Sequence, residues 1–202
     1  MVLMWDRDQD SKDLTALACG DSIAFTRVYD RYRERVYGFA YRMLQVQSTA
    51  EDITQEAFLV LIKHPERYRP ERGSILTFLC AVARNCIFNH FRLRGKGVED
   101  FSEEEDLQQV KNEYEPDPLS SLLDRELAAK VNEAISLLPE FQREVIVLRE
   151  FQELSYEDIS IVTGTDVNVV KARLFRARQN LAKHLAPYMV LKGEECHEMR
   201  RS

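Results

Sequence analysis

Residues 73–96 read GSILTFLCAVARNCIFNHFRLRGK, and the interpretation of the whole chain depends on this stretch. Ser74 is a residue type that often caps helices, and apolar residues follow it at three- and four-residue spacing, as on the buried side of an α-helix. The predicted buried stripe consists of Leu76, Leu79, Cys80, Ala83, Ile87 and Phe91.

A second face of this predicted helix combines cations, an amide and an aromatic ring. This combination suits nucleic acid, because guanidinium groups bind phosphates, an amide hydrogen-bonds a base edge and a ring stacks on an unpaired base. Taken alone, the helix fits a solvated basic surface equally well. The face contains Ala81, Arg84, Asn85, Phe88 and Arg92.

The composition favours a globular, all-α protein. The chain has 202 residues, 45% of them hydrophobic, and contains only seven glycines and six prolines, so long helical periods dominate. No apolar run approaches the roughly 18 residues of a membrane span, and the N-terminus turns acidic too early for a signal peptide. We therefore expect a cytoplasmic protein with no direct membrane insertion.

The formal net charge of −6 is unevenly distributed. Residues 79–98 contain four basic residues and no carboxylate, and residues 167–192 contain six basic residues and again none. Between them, residues 98–126 carry eleven carboxylates against two basic residues. This acidic stretch has few apolar residues and no clear period, which predicts a flexible connector between two basic helical domains. We expect it to attract Arg84, Arg92, Arg173 and Arg176 in the free chain.

Helix start and stop signals divide the chain into five parts. The predictions are an N-terminal segment at 1–20, a helical domain at 21–95, an acidic linker at 96–117, a second helical domain at 118–188 and a tail at 189–202. Asp21 is predicted to cap a long helix reaching about Gln45, and Asp117-Pro118 to start the second domain.

The helix predicted before Pro65 carries a polar ridge. Ser48 and Glu51 fit a capping box at its start. Carboxylates, an amide and a leucine then share one face opposite the apolar side, and such a ridge can dock on a basic partner helix, although ordinary exposed surface looks similar. The ridge consists of Asp52, Gln55, Glu56 and Leu59. In the loop that follows, Tyr68, Arg67 and Arg69 are predicted to lie beside Arg84 and Asn85 if the two helices form a hairpin.

A helix-turn-helix is predicted near the C-terminus. Ser155 fits the cap of a short helix, a turn around Gly164 follows, and the next helix is free of carboxylates. The second helix of such a motif enters the major groove, so residues near its start face base edges. These are Asn168, Lys171, Ala172 and Arg173, with Arg176, Arg178 and Lys183 further along the DNA backbone. A basic surface helix in a bundle is the alternative.

The sequence gives no sign of catalysis. It lacks a Gly-rich phosphate loop, an HExxH motif and a GxSxG motif, and its four histidines have no partner at ligand or triad spacing. The four cysteines form no CxxC pair, so we expect reduced thiols, no metal site and no cofactor. Cys196-His197 is too weak a pair to predict a metal site.

Taken together, the chain resembles a bacterial RNA polymerase sigma factor of the extracytoplasmic-function (ECF) group, in the sigma-70 family. The similarity covers about residues 25–185. Residues 52–58, DITQEAF, are similar to the family's DxxQExF helix, and residues 73–85 are similar to its GS...TWL...ARN helix. Residues 138–139, 154–159 and 170–178 resemble the domain that reads the −35 element. Phe78 stands where tryptophan is common, and Asn168-Val169 where Gly-Thr is frequent, so the −35 bases cannot be transferred from relatives.

The resemblance implies three interfaces and no covalent chemistry. The ridge Asp52, Gln55, Glu56 and Leu59 would bind the β′ clamp helices of core RNA polymerase, with the β flap as a further contact. Promoter DNA would be opened at −10 and read at −35, and an anti-sigma factor is a further expected partner. The −10 residues would be Tyr68, Arg69, Arg84, Asn85, Phe88 and Arg92, and the −35 residues Asn168, Lys171, Arg173, Arg176 and Arg178.

Two other functions stay open on the sequence alone. A stand-alone helix-turn-helix regulator would bind duplex DNA without polymerase and use its N-terminal domain to dimerise. A scaffold would only sequester an anti-sigma partner and support no transcription. Dependence of DNA binding on polymerase separates the first from a sigma factor, and transcription from any promoter excludes the second.

Overall fold

The computed structural model describes residues 7–18, 20–94 and 122–198, and this part of the chain is helical with no strand. Two short 3-10 turns, Pro65–Arg67 and Pro70–Arg72, separate the third and fourth helices. The α-helices in order are α1 (Arg7–Ala18), α2 (Ser22–Leu44), α3 (Gln47–Lys63), α4 (Ile75–Leu93), α5 (Leu122–Ser136), α6 (Glu140–Glu150), α7 (Tyr156–Thr163) and α8 (Val167–Glu198). The predicted all-α class is confirmed.

Helix α4 forms as its pattern predicts. The Ser74 side chain accepts a hydrogen bond from the Thr77 amide at 3.1 Å, which satisfies one of the free N–H groups at the helix start. All six residues of the predicted stripe are buried, and they pack against α2 and α3. This packing leaves the face that carries Asn85 and Arg92 turned away from the centre of the first domain.

Local signals also define α2 and correct the start of α3. The Asp21 carboxylate accepts from the amides of Ile23 at 2.8 Å and Ala24 at 3.3 Å, as predicted. The predicted capping box at Ser48 is wrong, because α3 begins at Gln47 and its cap, Val46, provides no side-chain hydrogen bond. Ser48 is therefore already inside the first turn, and the Gln47 side chain donates to Glu51 at 3.0 Å instead.

Helix α1 is part of the first domain. It lies in the predicted N-terminal segment 1–20, starts at Arg7 and packs on α2. Asp13 is fully buried and pairs with Arg27 at 2.8 Å and Arg31 at 3.2 Å. Asp10 accepts hydrogen bonds from Arg31 and from the Tyr32 hydroxyl, both at 2.6 Å. Burial raises the pKa of Tyr32, and the hydrogen bond to Asp10 raises it further.

The second domain contains the predicted helix-turn-helix. Ser155 caps α7 through a 3.0 Å hydrogen bond from the Asp158 amide, and Gly164 ends it at φ 67°, a left-handed conformation that favours glycine. Helix α8 then runs to Glu198, far beyond the expected recognition helix, and Pro187 removes one of its internal hydrogen bonds. No helix in the described ranges is long and apolar enough to cross a membrane.

The two domains pack directly on each other, with α4 against α7 and α2 against α6. The Thr77 hydroxyl donates to Asp158 Oδ1 at 3.0 Å, and Arg143 Nη1 donates to the Met43 carbonyl at 2.9 Å. At Gly73, whose φ is 143°, a Cβ would lie 3.0 Å from Thr77 Cγ2 and 3.3 Å from Asp158 Oδ1. Glycine therefore allows the start of α4 to approach α7. The predicted linker and its Asp117-Pro118 start signal lie outside the described residues.

Candidate functional site

The predicted docking ridge lies on the solvent side of α3. Asp52, Gln55, Glu56 and Leu59 are all exposed, whereas Ile53, Ala57 and Leu61 on the opposite side are buried. Leu59 and Ile62, 42% and 43% exposed, add apolar surface to an otherwise acidic ridge. Such a surface combines charge, which orients a partner, with apolar area that stabilises the complex.

A cavity of about 350 Å³ borders this ridge between α2 and α3. Gln55 is shared by the ridge and the cavity, so a partner on the ridge would also meet the cavity mouth. The sequence did not indicate this cavity, because its walls come from two helices that are each ordinary in their own periodicity. Its lining residues are Tyr29, Arg33, Glu34, Tyr37, Gln47, Glu51, Thr54 and Gln55.

The predicted −10 residues on α4 divide into an exposed and a covered group. Asn85 and Arg92 are exposed, and Arg92 Nη2 donates to Asn89 Oδ1 at 3.0 Å. Arg84 and Phe88 are half-buried and face α6 of the second domain. The Arg84 guanidinium also lies over the Phe88 ring, 4.5 Å from its centroid. The packed domains therefore leave only part of this face accessible.

Arg84 is held by a buried carboxylate. Its Nε forms an ion pair with Glu144 Oε1; the Arg84 side chain is 18% exposed and that of Glu144 is 0% exposed. Burial raises the pKa of Glu144, and the positive charges of Arg84 and Arg173 act in the opposite direction. Glu144 Oε2 is buried and has no hydrogen-bond partner in the part of the chain that the structure describes.

Tyr68 and Arg69 lie at the beginning of α4. The Tyr68 hydroxyl donates to the Gly73 carbonyl at 3.1 Å, and its ring packs edge-on against Phe78 with centroids 5.9 Å apart. Arg69 is exposed. Phe78 precedes Arg84 by nearly two helical turns, about 9 Å at 1.5 Å per residue. The structure thus separates Tyr68 from Arg84 along the helix axis, although the sequence led us to expect them side by side.

The predicted −35 residues on α8 are also divided. Asn168, Lys171, Arg176 and Arg178 are exposed, and Arg178 Nη2 donates to Glu150 Oε1 at 2.7 Å. Phe175, 63% exposed, lies among them. Three cations, an amide and an aromatic ring on one exposed helix suit contact with a duplex.

Arg173 points to the inside of the second domain. It is half-buried, its guanidinium lies 4.6 Å from the centroid of the Phe141 ring, and its buried Nη1 has no hydrogen-bond partner within the described ranges. Phe141 also stacks on Phe88, with ring centroids 5.6 Å apart and planes 18° from parallel. One residue of α6 therefore contacts a predicted −10 residue and a predicted −35 residue.

Sequence reasoning did not single out Phe141 or Glu144. Phe141 falls on the apolar side of the segment EFQREVIVLRE, and Glu144 fits an ordinary solvated charge there. Glu144 is buried by α4, 60 residues earlier in the chain, which local periodicity cannot indicate. Within the described residues no group of three or more His, Cys, Asp or Glu side chains could hold a metal ion.

Comparison with known protein families finds a match in each of the two helical domains. Residues 28–97 match the family model Sigma-70 region 2, and residues 128–181 match Sigma-70, region 4. The chain is 31% identical over 191 residues to the RNA polymerase sigma-H factor of Pseudomonas aeruginosa, covering 92% of this chain and 98% of that protein. It is also 31% identical over 189 residues to the ECF RNA polymerase sigma factor SigE of Mycolicibacterium smegmatis, covering 91% and 72%. The chain belongs to the ECF sigma factors.

The fold is also similar to that of a solved sigma factor. The chain is similar to the sigma factor RpoE of Bartonella quintana, solved in complex with the anti-sigma factor NepR, with a TM-score of 0.65 and 24% identity, covering 80% of this chain and 96% of that one. This likeness shows the fold. The sequence-based identification as a sigma factor that directs RNA polymerase to promoters is confirmed, and the stand-alone regulator is not favoured.

Proposed function

We propose that this ECF sigma factor uses three separate surfaces to start transcription. The α3 ridge, Asp52, Gln55, Glu56 and Leu59, docks on the β′ clamp helices of core RNA polymerase. The α4 face opens the −10 element and holds an unpaired base. The start of α8 reads the −35 element in the major groove.

The observation that carries this proposal is the separation of the two kinds of surface. The exposed acidic ridge of α3 would repel DNA phosphates and attract a basic protein surface. The exposed cations of α4 and α8 would instead attract DNA phosphates, and the exposed amides beside them can hydrogen-bond to bases. A regulator that binds duplex DNA alone has no use for the ridge.

Each DNA surface has side chains for its task. On α4, the Asn85 amide can pair with the edge of an unstacked base, Phe88 can stack on it and Arg92 can hold a phosphate. On α8, Asn168 and Lys171 lie in the first turns, where a recognition helix reaches base edges, and Arg176 lies one turn further on. No step in this proposal needs covalent chemistry by the sigma factor, so we propose that it is not an enzyme.

We also propose that the protein works in the cytoplasm, where its polymerase partner is, and that an anti-sigma factor binds it. The second point rests on the Bartonella quintana sigma factor, which was solved with such a partner. Neither point affects the assignment of the three surfaces.

The test is a DNA-binding titration at fixed salt, with and without core polymerase, because affinity for DNA depends steeply on salt. We expect weak binding of promoter duplex by the chain alone and an increase of orders of magnitude with core polymerase, since one scaffold then holds both DNA contacts. Tight, sequence-specific binding by the chain alone would instead support a stand-alone regulator.

A further inference from the structure

The first residue of α7 is a tyrosine that contacts cations from two other helices. The ζ carbon of Arg149 on α6 lies 5.0 Å from the centroid of the Tyr156 ring, and Nζ of Lys171 on α8 lies 5.8 Å from it. Both distances allow cation–π attraction, in which the negative face of an aromatic ring holds a positive charge. Three helices of the second domain therefore meet at one half-buried ring.

A third cation, Arg178, belongs to the same cluster. It follows Lys171 by seven residues, so the two side chains lie on one side of α8, about 10 Å apart along its axis. Arg178 Nη2 donates to Glu150 Oε1 at 2.7 Å. This hydrogen bond raises the pKa of Arg178, and Tyr156 adds to the rise. Tyr156 is thus a common neighbour of all three cations.

This gathering of cations is unfavourable for the free domain. Lys171 and Arg178 are exposed, and their long side chains could spread into water, where like charges repel one another less. Side chains that are already held in place lose less conformational entropy when they bind a ligand. A group of fixed cations beside the start of a recognition helix is therefore suited to the phosphates that flank its groove.

We propose that Tyr156 is a positioning residue for the −35 interface, whose ring holds three cations as one group facing the phosphates beside the −35 element. The cations are Arg149, Lys171 and Arg178. Arg149 is anchored a second time, because its Nη1 donates to the Leu154 carbonyl at 2.7 Å. The proposal rests on the proposed function, in which α8 enters the major groove, and adds to it two residues outside α8, Tyr156 and Arg149.

Two variants separate the ring from the hydroxyl. Tyr156→Leu removes the ring and keeps apolar bulk, whereas Tyr156→Phe keeps the ring face that attracts cations. The probe is a duplex that the parent holoenzyme selects from a random pool. We expect Tyr156→Leu to weaken holoenzyme binding on the order of three- to tenfold, and to lower the slope of log affinity against log salt by about one. Tyr156→Phe should restore most of both quantities.

Coupling between the ring and the cations distinguishes positioning from simple packing. Lys171→Ala with Arg178→Ala removes two of the three cations. If the ring acts through them, adding Tyr156→Leu to this background should weaken binding by less than about twofold, because the two changes remove the same interaction. A packing defect would cost the same factor in both backgrounds, and that result would overturn the proposal.

The matched control is Tyr188→Leu. Tyr188 is 37% exposed and also has a cation over its ring, with Lys130 Nζ 5.1 Å from the centroid. It lies ten residues beyond Arg178, towards the end of α8 that is remote from the groove. This variant should keep the affinity and the salt slope of the parent. Equal losses in Tyr188→Leu and Tyr156→Leu would show that general loosening of the domain explains both.

A third variant decides the question if Tyr156→Leu does not fold. Arg149→Gln keeps a donor for the Leu154 carbonyl and removes the charge, so it should lower the salt slope by about one. An unchanged slope would overturn the role of Arg149 in the group. Parent-like affinity of folded Tyr156→Leu, or equal losses in Tyr156→Leu and Tyr156→Phe, would overturn the role of the ring. Failure of the proposed function would look different, because the parent holoenzyme would then select no duplex that core polymerase alone does not.

Discussion

The ring of Phe88 stacks on the ring of Phe141, with centroids 5.6 Å apart and planes 18° from parallel. The two residues come from the matched regions 2 and 4 of the sigma-70 family, so the stack joins the two domains. The neighbouring pair of Arg84 and Glu144 makes the junction electrostatic as well as apolar. Changes at this junction should therefore alter both the packing of the two domains on each other and the proposed DNA-binding surfaces on either side of it.

The first prediction concerns pH. In the arrangement that the structure shows, called closed because the two domains pack on each other, burial raises the Glu144 pKa above its ordinary value of 4.5. Separating the domains would return the pKa towards that value. The closed state therefore binds the proton more tightly, and lowering the pH through the range between the two values should favour closure. The charged groups described against Glu144 are Arg84 and Arg173.

Small-angle scattering of the free chain between pH 7 and pH 5 is the measurement. We expect the radius of gyration to fall as the pH falls, and Glu144→Gln to remove this dependence because it imitates the protonated acid at every pH. Expansion of the chain on acidification would contradict the expected direction.

The second prediction separates Asn85 from Arg84. Asn85→Ala should impair promoter melting with little effect on the free chain, because Asn85 is exposed. Arg84→Ala should impair melting too, but it also leaves Glu144 buried without its ion-pair partner, which costs on the order of 1–3 kcal/mol in the closed state. Permanganate footprinting measures melting, and small-angle scattering measures the closed state. Normal reactivity of the −10 thymines would remove both residues from the site.

The third prediction concerns the recognition helix. Lys171→Ala and Arg173→Ala should each cost about 1–3 kcal/mol on a cognate −35 element in the holoenzyme if both reach base edges. Lys183→Ala should mainly reduce the salt slope. Arg173 is turned inward against Phe141 of its own domain, so its side chain must turn outward to reach the duplex. Equal losses on cognate and scrambled duplexes would mean that Lys171 and Arg173 hold only phosphates.

Much of the fold could be predicted locally because short-range signals decided it. The stripe from Leu76 to Phe91 is buried as its period indicates, and Asp21, Ser74 and Ser155 cap helices through bonds to nearby amides. The cap predicted at Ser48 is wrong because the helix starts two residues earlier than its motif implied. A shift of two residues suffices to turn a cap into an ordinary first-turn residue.

Contacts between residues far apart in the chain could not be predicted from the sequence. Glu144 carries the same charge as solvated neighbours, and only the position of α4 shows that it is buried. Asp13 likewise lies in a short segment of the sequence that gives no sign of a partner. Only the position of α2 shows that Asp13 pairs with Arg27 and Arg31. The acidic linker was predicted to attract the basic elements, and this stays a prediction because the linker lies outside the described residues. Within the described residues, Glu144 on α6 is the carboxylate that pairs with Arg84.

The fourth prediction tests the role of α1. Asp13→Ala removes a fully buried carboxylate that pairs with two arginines on α2, so it should lower the free energy of unfolding by about 1–3 kcal/mol. The arginines are 44% and 29% exposed, which moderates the loss because water can replace the carboxylate. Thermal unfolding measures the change, and the exposed Lys12→Ala is the matched control. Equal stability in both variants would show that α1 is dispensable for the first domain.

The last prediction concerns the α3 ridge. Asp52→Ala with Gln55→Ala and Glu56→Ala should weaken binding to core polymerase on the order of ten- to a hundredfold, because it removes the charge that would orient the ridge on basic clamp helices. Thermal unfolding should stay nearly unchanged, since all three side chains are exposed and lie opposite the buried residues of α3. Binding of labelled chain to core polymerase at two salt concentrations provides the measurement.

The control for this variant removes acids elsewhere. Glu133→Ala with Glu157→Ala changes two exposed carboxylates of the second domain and should leave polymerase binding close to that of the parent chain. The ridge variant should also lose most of its salt dependence, because the charges responsible for it are gone. If the ridge variant and the control bind polymerase equally well, the ridge is solvated surface and polymerase docks elsewhere, with the cavity between α2 and α3 as the next surface to change.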